Sequence, residues 1–457
     1  MTTSPFYQKT VLPNGLRVVT EKIPGVRSAS LGIWVSVGSR HETPAENGIS
    51  HFIEHMAFKG TETRSALDIA RTVEQGGGYI NAFTSKELTC FHVHVLDERL
   101  PSALDILADI LRDSVCDPAE MEKEKQVILD EIRDHEDMPD DVAHERFVKA
   151  LFNPHPLAQP ILGPPENIRG FSRDDVLKFV SQHYLPDRMV VAAAGHVNHA
   201  AIVKRVAQAL DLSGKSKIRR DPASTNHHNH IERISRPIQQ AHMVIGTSGL
   251  PYNHPDRLTL SIMNTILGGG MSSRLFQNIR EKHGIAYSIY CFTEMFADSG
   301  LWGVYLATDP ERVERAREMV IAELKDLASK PLPKEEIDGV KTGLKGNIML
   351  GLESVSSRMM RLGRMEVYLG RYQTLQDVSQ QIDAVTPKRV YDLVNRLIDE
   401  DNLITTIVQP EQTKKTKSKA KAKPKAAVLP KVKVAAVKVA ALAGKNGDSN
   451  GKNGKKK

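Results

Sequence analysis

One short segment near the N-terminus constrains this chain more than any other: residues 48–60 read GISHFIEHMAFKG. Its apolar residues recur at helical spacing, which predicts an amphipathic helix. His51 and His55 are four residues apart and therefore project from the same side of that helix. Two imidazoles at this spacing can hold one Zn²⁺ ion, because zinc favours nitrogen ligands at about 2.0–2.1 Å. The segment thus predicts a metal-binding helix, although an amphipathic helix with incidental polar residues would read the same.

Glu54 stands directly before the second histidine, close to the expected metal but beside it. That is the position of a general base for a water activated by the metal. The order H-x-x-E-H reverses the H-E-x-x-H peptidase helix and is typical of the inverted zincins. A catalytic zinc site takes three protein ligands and keeps one position open. A carboxylate from elsewhere in the chain must therefore complete it.

A second helix, predicted over residues 117–135, offers such carboxylates. Asp117 is expected as its N-cap and Pro118 at its first position, with Glu120 closing a capping-box-like arrangement. One stripe of this helix carries Glu124, Ile128, Glu131 and His135. The alternative, a solvated charged face, is weakened by the aliphatic Ile128 between the two glutamates, and the stripe fits a side that faces a metal.

Together these motifs resemble the pitrilysin, insulinase and mitochondrial-processing-peptidase group. In that group the glutamate ligand follows H-x-x-E-H by about 76 residues, and a second glutamate stands seven residues before it; counted from His55, these are Glu131 and Glu124. The resemblance covers residues 7 to about 410 and is nearest to two-domain bacterial relatives of the processing-peptidase β subunit. It implies one Zn²⁺ per chain held by His51, His55 and Glu131, with Glu124 as a supporting carboxylate.

The chain also shows two copies of one plan. At 457 residues it is too long for one ordinary core, and period-2 runs lead into period-3.6 runs in the same order twice. The elements of the first copy are predicted at 30–36, 49–58, 66–75, 79–84, 89–95 and 100–112, and those of the second at 240–247, 257–267, 273–282, 286–292, 300–307 and 310–327. This pattern predicts an α+β fold of two similar domains, each a mainly antiparallel sheet covered by helices. The expected parts are a zinc-binding domain (7–212), a linker (213–236), a homologous domain (237–410) and a Lys/Ala-rich tail (411–457).

A glycine run before residues 79–84 suggests where a substrate would lie. Gly76, Gly77 and Gly78 predict a bend that leaves the next strand at a sheet edge. An extended peptide can pair with such an edge through its main chain, although any sheet has an edge strand. By the resemblance, the strand bearing Asn81 and Ala82 holds the substrate backbone. An unfolded or extended peptide is therefore the expected substrate.

The second copy contains a further element of the group, an Arg followed seven residues later by a Tyr. By the resemblance, Arg280 binds a substrate carbonyl and Tyr287 donates to the oxyanion of the tetrahedral intermediate. Without that context Arg280 would be a charge at a helix end and Tyr287 a core aromatic. In larger, four-domain members the first domain faces the fourth. A two-domain chain can recreate that arrangement by pairing, so a homodimer with shared active sites is expected.

Charge and composition limit the remaining classes of function. The tail carries 15 Lys against Glu411 and Asp448, so the overall charge of +7 leaves −6 on the other 410 residues. Such a tail is expected to be disordered and to contact nucleic acid only non-specifically, because no recognition motif accompanies it. Three scattered cysteines, no secretory or transit signal and no apolar stretch of membrane-spanning length predict a cytoplasmic protein.

The sequence thus predicts a zinc-dependent metalloendopeptidase that acts on unfolded or extended peptides, with Glu54 as general base. A structural scaffold is the main alternative, since respiratory-complex core proteins resemble this group but often lack an intact motif. The H-x-x-E-H segment and Glu131 are all present in this chain, which argues against a pure scaffold.

Overall fold

In a computed structural model the protein is described over residues 6–216, 222–226 and 229–411, and its strands form two sheets. The strands of the first sheet are β1 (Tyr7–Val11), β2 (Arg17–Lys22), β3 (Ser28–Val35), β4 (Tyr79–Thr84), β5 (Thr89–Leu96) and β6 (Met189–Gly195). The strands of the second are β7 (His230–Arg236), β8 (Ala241–Ser248), β9 (Ala286–Met295), β10 (Gly300–Thr308) and β11 (Ile404–Pro410). Residues 412–457 of the predicted tail lie outside the described residues.

Helices separate the strands in both halves of the chain. The first half contains α1 (Ile49–Ala57), α2 (Ala66–Glu74), α3 (Leu100–Arg112), α4 (Pro118–Asp137), α5 (Pro139–Phe152), α6 (Pro165–Gly170), α7 (Arg173–His183) and α8 (His199–Ala209). The second half contains α9 (Arg257–Gly268), α10 (Val313–Ser329), α11 (Lys334–Gly351), α12 (Val355–Leu369), α13 (Leu375–Asp383) and α14 (Pro387–Leu397). None of the helices in the described ranges is both long and apolar enough to cross a membrane.

The two sheets have the same topology, which confirms the predicted duplication of an α+β unit. The first sheet has the order β1-β2-β6-β3-β5-β4 and the second β7-β11-β8-β10-β9. Without β1, the two orders correspond strand by strand. In each sheet one pair is parallel, β2 with β6 and β7 with β11, and the other described pairs are antiparallel.

Each sheet is covered on one face by a helix from the other half of the chain. From the first half, α5 packs Ala143, Phe147 and Leu151 against Val244 and Ile404 of the second sheet. From the second half, α12 packs Met359 and Leu362 against Trp34 and Val190 of the first sheet. Neither half therefore contains all the residues that bury its own sheet.

Three predicted segments differ from the structure in their type of secondary structure. The last seven residues of the predicted linker form β7, an edge strand whose alternating exposed residues gave little apolar signal. The helix expected at 273–282 is wound as a π-helix over Phe276–Lys282. The helix expected from residue 310 begins with a 3-10 turn and becomes α-helical at Val313.

Candidate metal centre

The helix that carries the H-x-x-E-H motif, α1, is anchored at its first turn by a buried carboxylate that the sequence did not point to. Glu42 is 3% exposed and accepts hydrogen bonds from the amides of Gly48 (2.8 Å) and Ser50 (2.9 Å) and from the side chain of Asn47 (2.9 Å). Gly48 caps the helix with φ of 99°, a left-handed conformation that favours glycine. An acidic residue close to a predicted helix start was the available signal, since helix N-termini attract carboxylates.

The second predicted helix is present as α4, with a slightly different cap. Asp117 accepts from the amides of Ala119 (2.9 Å) and Glu120 (3.1 Å), as expected for an N-cap. The expected capping box is wrong, because the Glu120 carboxylate instead pairs with Lys123 at 2.5 Å. Along the predicted stripe Glu124 and Ile128 are buried, whereas the Glu131 side chain is 46% exposed. The stripe therefore runs from the core to an open side of the molecule.

His51, His55 and Glu131 come together between α1 and α4, with one ligand atom from each within 4.8 Å of the others. Glu131 Oε2 lies 3.6 Å from Nε2 of His51 and 3.6 Å from Nε2 of His55. Ligand atoms about 2.1 Å from a tetrahedral zinc ion are separated by about 3.4 Å. The spacing of the three side chains therefore fits a zinc ion.

A chain of contacts behind His55 orients that ring. Glu124 Oε2 lies 3.0 Å from Nδ1 of His55, which leaves Nε2 directed towards Glu131. The other oxygen of Glu124 lies 2.5 Å from the ammonium group of Lys59. Carboxylates in this position fix the tautomer and orientation of a ligating imidazole. Lys59 was not identified from the sequence; it follows the last residue of α1, Ala57, by two positions.

The electrostatics of His51 and Glu131 match what a metal requires of its ligands, whereas the two carboxylates beside His55 favour its protonated form. Burial, and then the charge of His55, lower the pKa of His51 to about 4. Burial also acts to lower the pKa of His55, but hydrogen bonds to Glu131 and Glu124 outweigh it, so that this pKa is raised. The hydrogen bond from His55 lowers the pKa of Glu131. A neutral His51 and an ionised Glu131 are the protonation states in which these side chains bind metal.

Glu54 lies close to the candidate metal ligands His55 and Glu131 and is held by the edge strand of the first sheet. Thr84, the last residue of β4, donates a hydrogen bond to Glu54 Oε2 at 2.5 Å. Burial raises the pKa of Glu54, and the hydrogen bond from Thr84 opposes that rise. A carboxylate with a raised pKa is suited to take up and release a proton near neutral pH. No sequence pattern pointed to Thr84.

Strand β4 is an edge strand, as the glycine run predicted, because β5 is its one neighbour in the sheet. Asn81 is exposed, and the Ala82 side chain is buried. The Ala82 amide donates to the side-chain oxygen of Asn81 at 2.8 Å, so it is not used in pairing with β5. Strand β4, whose last residue contacts Glu54, therefore has no paired strand on its outer side within the described residues.

Arg280 and Tyr287 contact each other and not the metal ligands. The guanidinium carbon of Arg280, on the π-helix, lies 5.2 Å from the ring centre of Tyr287 and 4.5 Å from that of Phe276. Tyr287 is 70% exposed and lies in a bulge of β9, where the register with β10 shifts. Bulges commonly redirect a side chain next to an active site. Within the described ranges, no hydrogen bond, ion pair or ring contact joins either residue to His51, His55 or Glu131.

Comparison with known proteins identifies the group to which this chain is similar. Residues 17–165 match the family described as Insulinase (Peptidase family M16), and residues 170–344 match the Peptidase M16 inactive domain. An uncharacterized zinc protease of Bacillus subtilis is 40% identical over 86% of this chain and 96% of its own length. One from Streptomyces coelicolor is 41% identical over 84% of this chain and 85% of its own length.

A solved structure has the same fold. The crystal structure of a protease from Helicobacter pylori superposes with a TM-score of 0.83, covering 88% of this chain and 99% of that one at 22% identity. At this level of identity the similarity concerns the fold alone.

Proposed function

The chain belongs to the insulinase family of peptidases, M16, and on that premise we propose that it is a zinc-dependent endopeptidase acting on unfolded or extended peptides. The observation that carries this proposal is the contact between Thr84 and Glu54 beside the three metal ligands. It joins a candidate general base to the end of a free edge strand. A peptide paired with that strand would thus lie next to the Glu54 carboxylate.

Each residue of the centre has a distinct task in this proposal. His51, His55 and Glu131 hold zinc, which when bound supplies Lewis acidity that acidifies a water and polarises a carbonyl. Glu54 takes the proton of the attacking water and delivers it to the leaving amine. Glu124 holds the ring of His55 in its ligating orientation.

The edge of β4 supplies the substrate-binding surface. A peptide adds to it as a further strand and pairs with the main chain beside Asn81 and Ala82. A folded protein cannot present an unpaired strand of this kind, so the substrate class is unfolded or flexible polypeptide.

We further propose that two copies of the chain share their active sites. Arg280 and Tyr287 would bind the substrate carbonyl and the developing oxyanion. They lie in the second half of the chain and have no contact with the metal ligands among the described residues, and Tyr287 is largely exposed. A homodimer in which each chain supplies this pair to the other is the simplest arrangement that uses all of these groups.

Digestion of a library of unstructured peptides tests the proposal. Purified protein with about one zinc per chain should cleave the library, with products identified by mass spectrometry. A chelator should stop cleavage, and added zinc should restore it. A zinc-loaded protein that cleaves none of the peptides would overturn the proposal and favour the scaffold alternative.

A further inference from the structure

A cavity in the second half of the chain shares no residue with the metal centre and has a volume of about 300 Å³. This is the lower end of the range of ligand pockets. Its walls are the first turn of α9 with the loop before it, the segment that follows α12, and parts of α13 and α14. Among the described residues that line it, three are arginines and none is acidic: Arg257, Arg371 and Arg389.

The positive charge of this cavity is poorly compensated. Arg389 pairs with Asp256 at 2.7 Å, but that carboxylate, which is not part of the lining, is also bound by Arg396 at 2.9 Å. Among the described residues, Arg257 donates only to neutral oxygens, the side chain of Gln373 (3.1 Å) and the carbonyl of Tyr252 (3.4 Å). In the part of the chain that the structure describes, Arg371 has no hydrogen bond or ion pair.

Further hydrogen-bond donors line the same cavity. Leu258 and Thr259 belong to the first turn of α9, whose amides have no acceptor within the helix. Asp256 precedes that helix but makes no side-chain cap. Thr259 is 1% exposed, and within the described residues its hydroxyl oxygen has no hydrogen-bond partner. The positive end of a twelve-residue helix and an unpartnered buried hydroxyl therefore add to the arginines.

We propose that this cavity binds the phosphate group of a small phosphorylated molecule. One guanidinium group can donate two hydrogen bonds to two oxygens of the same phosphate. The amides of the first turn of a helix also commonly bind phosphate. Three lining arginines, with Asp256 shared between Arg389 and Arg396, favour a doubly charged anion. The volume suits a small phosphate ester rather than a macromolecule.

Such a ligand would bridge two parts of the molecule. Arg371 and Gln373 follow α12, which covers the first sheet, whereas Arg257 begins α9 in the second half. A phosphate that contacts both Arg371 and Arg257 would hold the segment after α12 against α9. We expect its binding to raise the melting temperature of the protein.

Calorimetric titration of the full zinc-loaded chain with inorganic phosphate, pyrophosphate and glycerol 3-phosphate tests this proposal. Because phosphate can also bind zinc, each titration is repeated on protein freed of zinc. We expect one saturable site per chain in both preparations, with weaker binding at high salt.

Two variants separate this cavity from general charge effects. The double variant Arg257→Gln/Arg371→Gln should bind phosphate about tenfold more weakly or worse, and Arg371→Gln alone, at an exposed position, should also weaken binding. The control Arg315→Gln, on the exposed side of α10, should bind like the unaltered protein. The proposal is overturned if no saturable binding is found, or if removal of the zinc abolishes binding. It is also overturned if the double variant folds and still binds phosphate normally.

Discussion

At the scale of single residues, the proposed role of Glu54 as general base can be tested most directly. Glu54→Gln keeps the shape of the side chain but removes the proton acceptor. We therefore expect normal zinc content and a loss of cleavage of about 10²–10⁴-fold or more. His55→Ala should lose both zinc and activity. Metal analysis beside a peptide-cleavage assay measures both, and a Glu54→Gln chain that cleaves at the normal rate would contradict the mechanism.

Glu124 should act on metal affinity rather than on proton transfer. Glu124→Gln removes the charge that faces both His55 and Lys59. We expect zinc to bind about 10–100-fold more weakly, as for other carboxylates that orient a ligating histidine. Competition with a chromogenic chelator measures this affinity. Glu122→Gln, on an exposed part of the same helix, is the matched control and should leave it unchanged.

At the scale of elements, the outer side of β4 is expected to bind the substrate backbone. Ala82→Pro removes an amide that takes no part in pairing with β5, and proline is tolerated at such edge positions. The variant should retain its melting temperature and zinc but lose about tenfold or more in kcat/KM towards peptides. Steady-state kinetics with an unstructured peptide check this. Unchanged kcat/KM in a folded Ala82→Pro chain would place substrate elsewhere.

Helices α5 and α12, each of which packs on the sheet of the other half, should make the two halves unfold together. Met359 of α12 is fully buried against Trp34, so Met359→Ala should lower the free energy of unfolding by about 2–5 kcal/mol. The chain has two tryptophans, Trp34 in the first sheet and Trp302 in the second, and variants that retain one of them report on each half.

Both tryptophans should report the same shift in denaturant midpoint. The control Met349→Ala, at an exposed position, should change stability by less than about 0.5 kcal/mol. A shift seen by Trp34 alone would show that the halves unfold independently.

At the scale of the whole molecule, shared active sites can be tested by complementation. Glu54→Gln chains are co-expressed with Tyr287→Phe chains. In a mixed dimer with shared sites, one site carries both defects and the other is intact. Random pairing makes about half of the dimers mixed, so roughly a quarter of all sites should be active. Mixed protein no more active than the two variants alone would mean that each site lies within one chain.

Much of the site was predictable because its signals are local or depend on fixed spacing. Residues 48–60 alone indicated a helix with two histidines on one side, and α1 has this arrangement. Placing Glu131 needed the spacing known from related proteins, and the structure brings it to the two histidines. The period-2 runs indicated β4 and β5, whereas β7 was missed because an exposed edge strand has few apolar residues.

The sequence by itself indicated the two histidines on one side of a helix, the glutamate beside them, the duplicated plan and the edge strand, since each follows from residue type and short-range periodicity. The tertiary structure alone decided that Glu42 anchors α1, that Thr84 holds Glu54, and that Lys59 pairs with Glu124. It also decided that α5 and α12 cover each other's sheets. The contacts of Glu42 span only six to eight residues, but the others join residues far apart in the chain. Nothing in local periodicity records which buried face a helix will meet. Packing of the two halves against each other settles that choice.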